Sequence, residues 1–155
     1  MTIVPHAIVG ASTAVFTNNI YIAFLLGVVG HFVTDALPHW EPKSLVIRTA
    51  DGRKDWSPGL FVFAGVEFLL TILFLILFVH RADFYFLVSG AFGALLPDMI
   101  VNNPFLQKYR NAPILKYLFI FHGKIHLDTP ANLWYLSLIF EGAVVGGSLW
   151  LLLKF

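Results

Sequence analysis

The chain has 155 residues, of which 58% are hydrophobic and 12% are charged, and its net charge is +1. Soluble domains average about 25% charged residues, so this composition predicts an integral membrane protein. The near-neutral charge argues against nucleic-acid binding, which favours a strongly basic surface. The absence of cysteine excludes disulfides and thiolate metal sites.

Long apolar runs predict an all-α membrane helix bundle that forms one domain over residues 1–155. The predicted helices are, in chain order, residues 7–16, 20–36, 57–79, 84–100, 114–126 and 132–153. The clearest run, 57–79, would be about 34 Å long as a helix, which is enough to cross a bilayer. The fourth run is expected to stop at Pro97-Asp98, and the sequence leaves open whether 114–126 spans the membrane.

Alternate crossing of the membrane gathers five of the six histidines at one face. The first helix begins there, the second returns there, the fourth ends there, and the fifth stays at that interface. The residues predicted to meet are His6, His31, Asp35, His39, Asp98, His122 and His126. His80 is left at the far side. Because ionisable groups near the membrane are costly and tend to be functional, this sorting predicts a site at one membrane face.

The residue types and spacing of this set point to metal binding. His31 and Asp35 are four residues apart and therefore share one side of a helix, and His122 and His126 repeat the spacing. Imidazole and carboxylate ligands without sulfur suit zinc, with manganese or iron(II) as alternatives. Seven candidates exceed the three or four ligands of one catalytic zinc, which favours two ions bridged by Asp35 or Asp98.

Such a metal cluster predicts hydrolysis by an activated water. Metals lower the pKa of bound water and can clamp the attacking and leaving oxygens of a phosphoester. Asp98 is the predicted catalytic carboxylate, which would orient the water and take its proton. The reason is that the Leu-Leu-Pro segment before it is expected to hold it rigidly at a helix end.

Two short segments carry a resemblance to known families. Gly-His-Phe-Val-Thr-Asp-Ala-Leu-Pro at 30–38 and Gly-Ala-Leu-Leu-Pro-Asp at 93–98 resemble motifs of the small membrane-bound metal-dependent hydrolases, the YdjM-like group. The HxxxD-then-Pro-His run is also similar to the zinc-dependent phospholipase C and S1-P1 nuclease superfamily, whose all-helical fold uses three zinc ions on phosphoesters. The resemblance implies that His6, His31, Asp35, His39 and Asp98 are metal ligands.

The expected substrate is a phosphoester or phosphodiester of a membrane lipid or lipid-linked molecule. A metal site at the membrane surface, lined by Phe32, Trp40, Phe105 and Phe121, could admit a headgroup while the acyl chains stay in the bilayer. Basic residues favour the metal side, at Lys43, Arg48, Arg53, Lys54, Lys108, Arg110, Lys116 and Lys124, over the far side with Arg81 and Lys154. The positive-inside rule therefore predicts a cytoplasmic site, in a prokaryotic inner membrane.

Two other functions remain open on the sequence. Glu67 and Glu141 lie in mid-run, where a carboxylate is costly, so they could serve a metal or proton transporter. Gly142-x-x-x-Gly146 offers a packing motif for the homo-oligomer that a transporter would need. A non-catalytic membrane scaffold with a structural metal site is the third interpretation.

Overall fold

Seven α-helices make up most of the part of the chain that the computed structural model describes, residues 1–48, 50, 54–127 and 129–155. They are α1 (Ile3–Ser12), α2 (Ile20–Asp35), α3 (Pro58–Phe78), α4 (Phe84–Val101), α5 (Pro104–Gln107), α6 (Pro113–Ile125) and α7 (Trp134–Lys154). The short antiparallel strands β1 (Val46–Arg48) and β2 (Lys54–Trp56) precede α3. The predicted helical class is confirmed, whereas this hairpin and α5 were not predicted. Arg53, one of the basic residues assigned to the metal side, lies outside the described residues.

Polar residues directly before several helices fix where those helices begin. The side chain of Asn19 accepts hydrogen bonds from the first backbone amides of α2. Ser57 does the same for α3, which has Pro58 in its first turn, and Asp83 does so for α4. A helix leaves its first amides without partners, so each of these caps stabilises the start of an apolar run.

Three helices, α3, α4 and α7, are long and apolar enough to cross a membrane. Most of the large apolar side chains of α3 and α7 are exposed on the outside of the bundle. α1 and α2 are shorter apolar helices, and α1 gives way to a 3₁₀ turn at Thr13–Phe16. These features are consistent with the expected membrane association.

α1, α2 and α4 pack with their backbones in contact through glycines. A Cβ atom at Gly10 would lie 2.2 Å from the carbonyl oxygen of Gly90, and one at Gly27 would lie 2.1 Å from the same oxygen. A Cβ at Gly93 would lie 2.2 Å from the carbonyl oxygen of Phe24. Only glycine permits such close approach of helices, a packing mode common within membranes. The three helices therefore form a tight unit at the centre of the bundle.

The expected helix stop at Pro97 is wrong, because α4 continues through Pro97 to Val101. A proline inside a helix removes one backbone hydrogen bond, and neighbouring helices in a bundle compensate for that loss. The turn after Pro97 still closes, with the Asn102 amide donating to the Asp98 carbonyl oxygen at 2.8 Å. Asp98 therefore lies one turn inside α4 instead of at its end.

Candidate metal centre

All seven predicted site residues lie in one cluster, where the ends of four helices meet. α1 contributes His6 and the last two turns of α2 contribute His31 and Asp35. The remaining members come from α4, α6 and the segments that follow α2 and α6, namely Asp98, His122, His39 and His126. His80 is exposed beyond the end of α3, outside this cluster.

The first group of candidate ligands consists of His31, Asp35, Asp98 and His122, whose ligand atoms all lie within 4.8 Å of one another. The Nε2 atoms of His31 and His122 are each 3.3 Å from Oδ2 of Asp35. His122 Nε2 is also 3.1 Å from Oδ1 of Asp98. His6 adds an Nε2 atom 3.1 Å from Asp35 Oδ1 and 3.7 Å from Asp98 Oδ2. A metal ion could be held between these atoms.

A second group joins Asp35 to His39 and His126. The Nε2 atoms of the two histidines are 3.1 Å apart, and His39 Nε2 is 4.0 Å from Asp35 Oδ1. Glu41, which the sequence analysis did not single out, lies here too, with Oε1 2.8 Å from His126 Nε2 and 3.9 Å from His39 Nε2. Glu41 follows His39 by two residues in a segment without helical spacing, so no periodic pattern marked it.

Asp35 belongs to both groups and is the carboxylate that they share. Its side chain and those of His6 and His31 are almost completely buried. Among the described residues, His6 Nε2, both ring nitrogens of His31 and Asp35 Oδ2 are buried atoms without a hydrogen-bond partner. Buried polar atoms without partners are costly and rare in folded proteins. A cation between them would satisfy these atoms, so the donor set fits a divalent metal.

Hydrogen bonds on the opposite ring nitrogens orient two of the imidazoles. The Thr34 hydroxyl lies within 3.0 Å of backbone carbonyl oxygens in its own helix and 3.1 Å from His6 Nδ1. Because its single hydrogen is given to a carbonyl, its oxygen accepts the Nδ1–H of His6. His39 Nδ1 likewise donates to the Leu37 carbonyl oxygen at 2.8 Å. In both rings Nε2 keeps its lone pair toward the cluster, as in metal-binding histidines.

The charges of the outer part of the cluster are set by contacts between its acids and imidazoles. Burial opposes ionisation of Glu41, but a hydrogen bond from His126 holds the pKa of Glu41 well below its usual range. Burial also opposes protonation of His122, but the nearby carboxylates of Asp35 and Asp98 raise the pKa of His122 to about 9. The cluster thus already holds positive charge against its carboxylates, and a metal would take the place of that charge.

A cavity of about 820 Å³ opens beside the cluster. Its polar end is lined by Glu41, Asp98, His122 and His126, and much of the remainder is lined by apolar residues of α3 and by Phe119. The aromatic residues expected to line the site, Phe32, Trp40, Phe105 and Phe121, are not among those that line this cavity. The ring of Phe32 packs instead against the rings of His31 and Phe121.

Glu67 and Glu141 lie outside the cluster, where both line a second cavity of about 520 Å³. Glu67 Oε2 accepts a hydrogen bond from the backbone amide of Val4 at 3.0 Å. Val4 is in the first turn of α1, whose amides have no partners within the helix. Glu67 therefore caps α1 from the neighbouring helix α3, and this contact gives it a structural role close to His6.

No family, curated protein or solved structure with which the chain was compared matches it. The likeness of 30–38 and 93–98 to metal-dependent hydrolases is therefore a likeness of short motifs, and membership of that group stays a prediction.

Proposed function

We propose that this protein is a membrane-embedded, metal-dependent hydrolase that cleaves a phosphoester or phosphodiester of a lipid or lipid-linked substrate. The observation that carries the proposal is the convergence of buried, unpartnered ligand atoms from His6, His31 and Asp35. Two adjacent ligand groups that share Asp35 favour two ions, with zinc expected first and manganese or iron as alternatives. Divalent metals there would activate water and neutralise charge on the phosphoryl oxygens.

Asp98 is the carboxylate best placed to take the proton of the attacking water. Its side chain is 24% exposed and lines the cavity, whereas that of Asp35 is 2% exposed and enclosed by imidazoles. The side-chain amide of Asn102 donates a hydrogen bond to Asp98 Oδ1 at 2.8 Å and fixes the orientation of the carboxylate. In the reaction the water oxygen bonds to phosphorus, one P–O ester bond breaks, and the proton passes through Asp98 to the leaving oxygen.

The proposed location is the cytoplasmic face of a prokaryotic inner membrane. Lys108, Arg110, Lys116 and Lys124 follow α4 or lie in α6, on the side of the cluster. Arg81 and Lys154 lie at the opposite ends of α3 and α7. This distribution of basic residues supports a cytoplasmic site. Gly142 and Gly146 have open space around them, so a homo-oligomer formed through this face of α7 stays a prediction.

Elemental analysis of detergent-purified protein tests the metal centre. We expect one or two equivalents of zinc, manganese or iron per chain in the wild type and in the His80→Ala control. The double variant His31→Ala/Asp35→Ala should lose them, because it removes ligands from both groups. A wild type that stays metal-free after incubation with each ion would contradict the proposal.

Hydrolysis of bis(p-nitrophenyl) phosphate by the metal-loaded protein tests the chemistry. Loss of a general base typically slows a reaction about 10²–10⁴-fold. The turnover rate of Asp98→Asn should therefore fall by that order, while its helix content stays unchanged. Unaltered turnover in His31→Ala/Asp35→Ala would show that any hydrolysis does not depend on the cluster.

A further inference from the structure

The larger cavity runs from the metal cluster into an apolar groove between α3 and α6. Residues at helical spacing line its two long walls: Phe61, Gly65 and Phe68 on α3, and Phe119, His122 and Gly123 on α6. Its volume of about 820 Å³ is within the range of about 300–1,000 Å³ that is typical of small-molecule sites. The polar and apolar ends make the groove suited to an amphiphilic ligand.

The groove is open toward the outside of the bundle, along the exposed apolar face of α3. α6 packs on α4 and α2, whereas α3 packs mainly on α1, and this leaves a space between α3 and α6. Phe61 and Phe68 line the groove and are still more than half exposed. Their neighbours Val62, Val66 and Leu69 continue the exposed apolar surface of this candidate membrane span. A hydrocarbon chain could therefore enter sideways from the bilayer.

Gly65 on α3 and Gly123 on α6 lie on opposite walls of this groove. Helix packing does not require glycine at either position. A Cβ atom added at either residue would meet no atom within 4 Å, in contrast to the tight contacts at Gly10 and Gly90. Glycine weakens a helix relative to alanine, so a glycine without a packing reason calls for another explanation. Both residues line the cavity, and the absence of a side chain keeps it wide.

We infer that the groove between α3 and α6 holds the hydrocarbon chain of a lipid phosphoester and that Gly65 and Gly123 determine the width available to it. The inference rests on the proposed hydrolase function. The ester group lies at the polar end, beside Asp98 and His122, and the chain extends along Phe61 and Phe68. Gly65 and Gly123 are thus specificity-determining residues for the apolar part of the substrate.

Two p-nitrophenyl phosphodiesters that differ only in their second ester group, methyl or dodecyl, test the inference. We expect the wild type to favour the dodecyl ester in kcat/KM on the order of ten-fold or more. Gly65→Leu and Gly123→Leu should lose that preference, which is measured as the ratio of kcat/KM for the dodecyl ester to kcat/KM for the methyl ester. Gly147→Leu is the matched control, since Gly147 lies in α7 with open space around it and does not line the groove. Variants that keep the full preference for dodecyl would overturn the inference.

A photoactivatable lipid separates this inference from the proposed function. Phosphatidylglycerol with a diazirine at the end of one acyl chain is incorporated into vesicles with the wild type, and adducts are mapped by mass spectrometry. We expect adducts at 60–68 and 119–123, lost in Gly65→Leu and kept in Gly147→Leu. Adducts there without turnover of either ester would leave the lipid site standing and refute the hydrolase. Turnover with adducts spread equally over the outer faces of α3 and α7 would overturn the lipid site alone.

Discussion

Gly10 and Gly90 hold α1 and α4 in backbone contact, since a Cβ atom on either residue would lie 2.2 Å from the carbonyl oxygen of the other. α1 carries His6 and α4 carries Asp98, so this contact sets how closely the two side chains approach. His6 Nε2 lies 3.7 Å from Asp98 Oδ2. The helix packing at the centre of the bundle thus supports the geometry of the candidate metal centre.

Substitution of Gly90 by alanine should destabilise the protein and weaken metal binding together. The added methyl group meets backbone atoms that cannot rotate away, and overpacking of this kind costs about 1–3 kcal/mol. Thermal unfolding in detergent, with and without zinc, measures both effects. Gly147→Ala is the control, because its Cβ atom enters open space. Equal stability of the two variants would show that the close approach of α1 and α4 is not needed.

Thr34→Val should lower metal affinity without unfolding the chain. Valine has the shape of threonine but cannot accept the Nδ1–H of His6, and loss of such an orienting group typically costs about 10–100-fold in affinity. Competition with a chromophoric zinc chelator measures the change, and Thr34→Ser should restore binding. The control is Thr71→Val, since the buried Thr71 hydroxyl donates to the Glu67 carbonyl oxygen within α3. The same zinc affinity in both variants would contradict the orienting role.

Glu41→Gln should remove one metal equivalent and leave the other. Glu41 contacts His39 and His126 of the second group, whereas the first group contains His31, Asp98 and His122. Elemental analysis should therefore find one ion fewer per chain than in the wild type. Asp35→Asn should lose both ions because the two groups share Asp35, and Glu141→Gln should lose none. Retention of the wild-type metal content by Glu41→Gln would remove Glu41 from the proposed ligands.

Variants of Glu67 separate its structural contact from the transport interpretation. Glutamine keeps an acceptor for the Val4 amide, so Glu67→Gln should retain stability, metal content and hydrolysis. Glu67→Ala leaves that amide without a partner, which should cost about 1–3 kcal/mol in thermal unfolding. Proton and zinc flux into proteoliposomes is the contrasting measurement. If the wild type shows proton or zinc flux and Glu67→Gln abolishes it, a transporter is favoured over a hydrolase.

The positions of most helices could be predicted from local sequence because apolar runs and capping residues are local signals. The run after Ser57 begins with a side-chain cap and continues as α3 to Phe78. The pairing of His31 with Asp35 could also be predicted, since four-residue spacing places both side chains on one face of α2. In the structure His31 Nε2 lies 3.3 Å from Asp35 Oδ2. Pro97 misled the prediction because its effect depends on neighbouring helices that the local sequence does not reveal.

The sequence by itself determined the helical class, the long apolar runs that form α3, α4 and α7, and the residue types able to bind a metal. Only the tertiary structure decided that Asp35 is shared between two groups of candidate ligands, that Glu41 joins the second, and that an apolar groove leads away from them. The physical reason is that helical periodicity fixes which side chains share a face. Which faces meet depends on backbone approach between distant segments, as at Gly10 and Gly90.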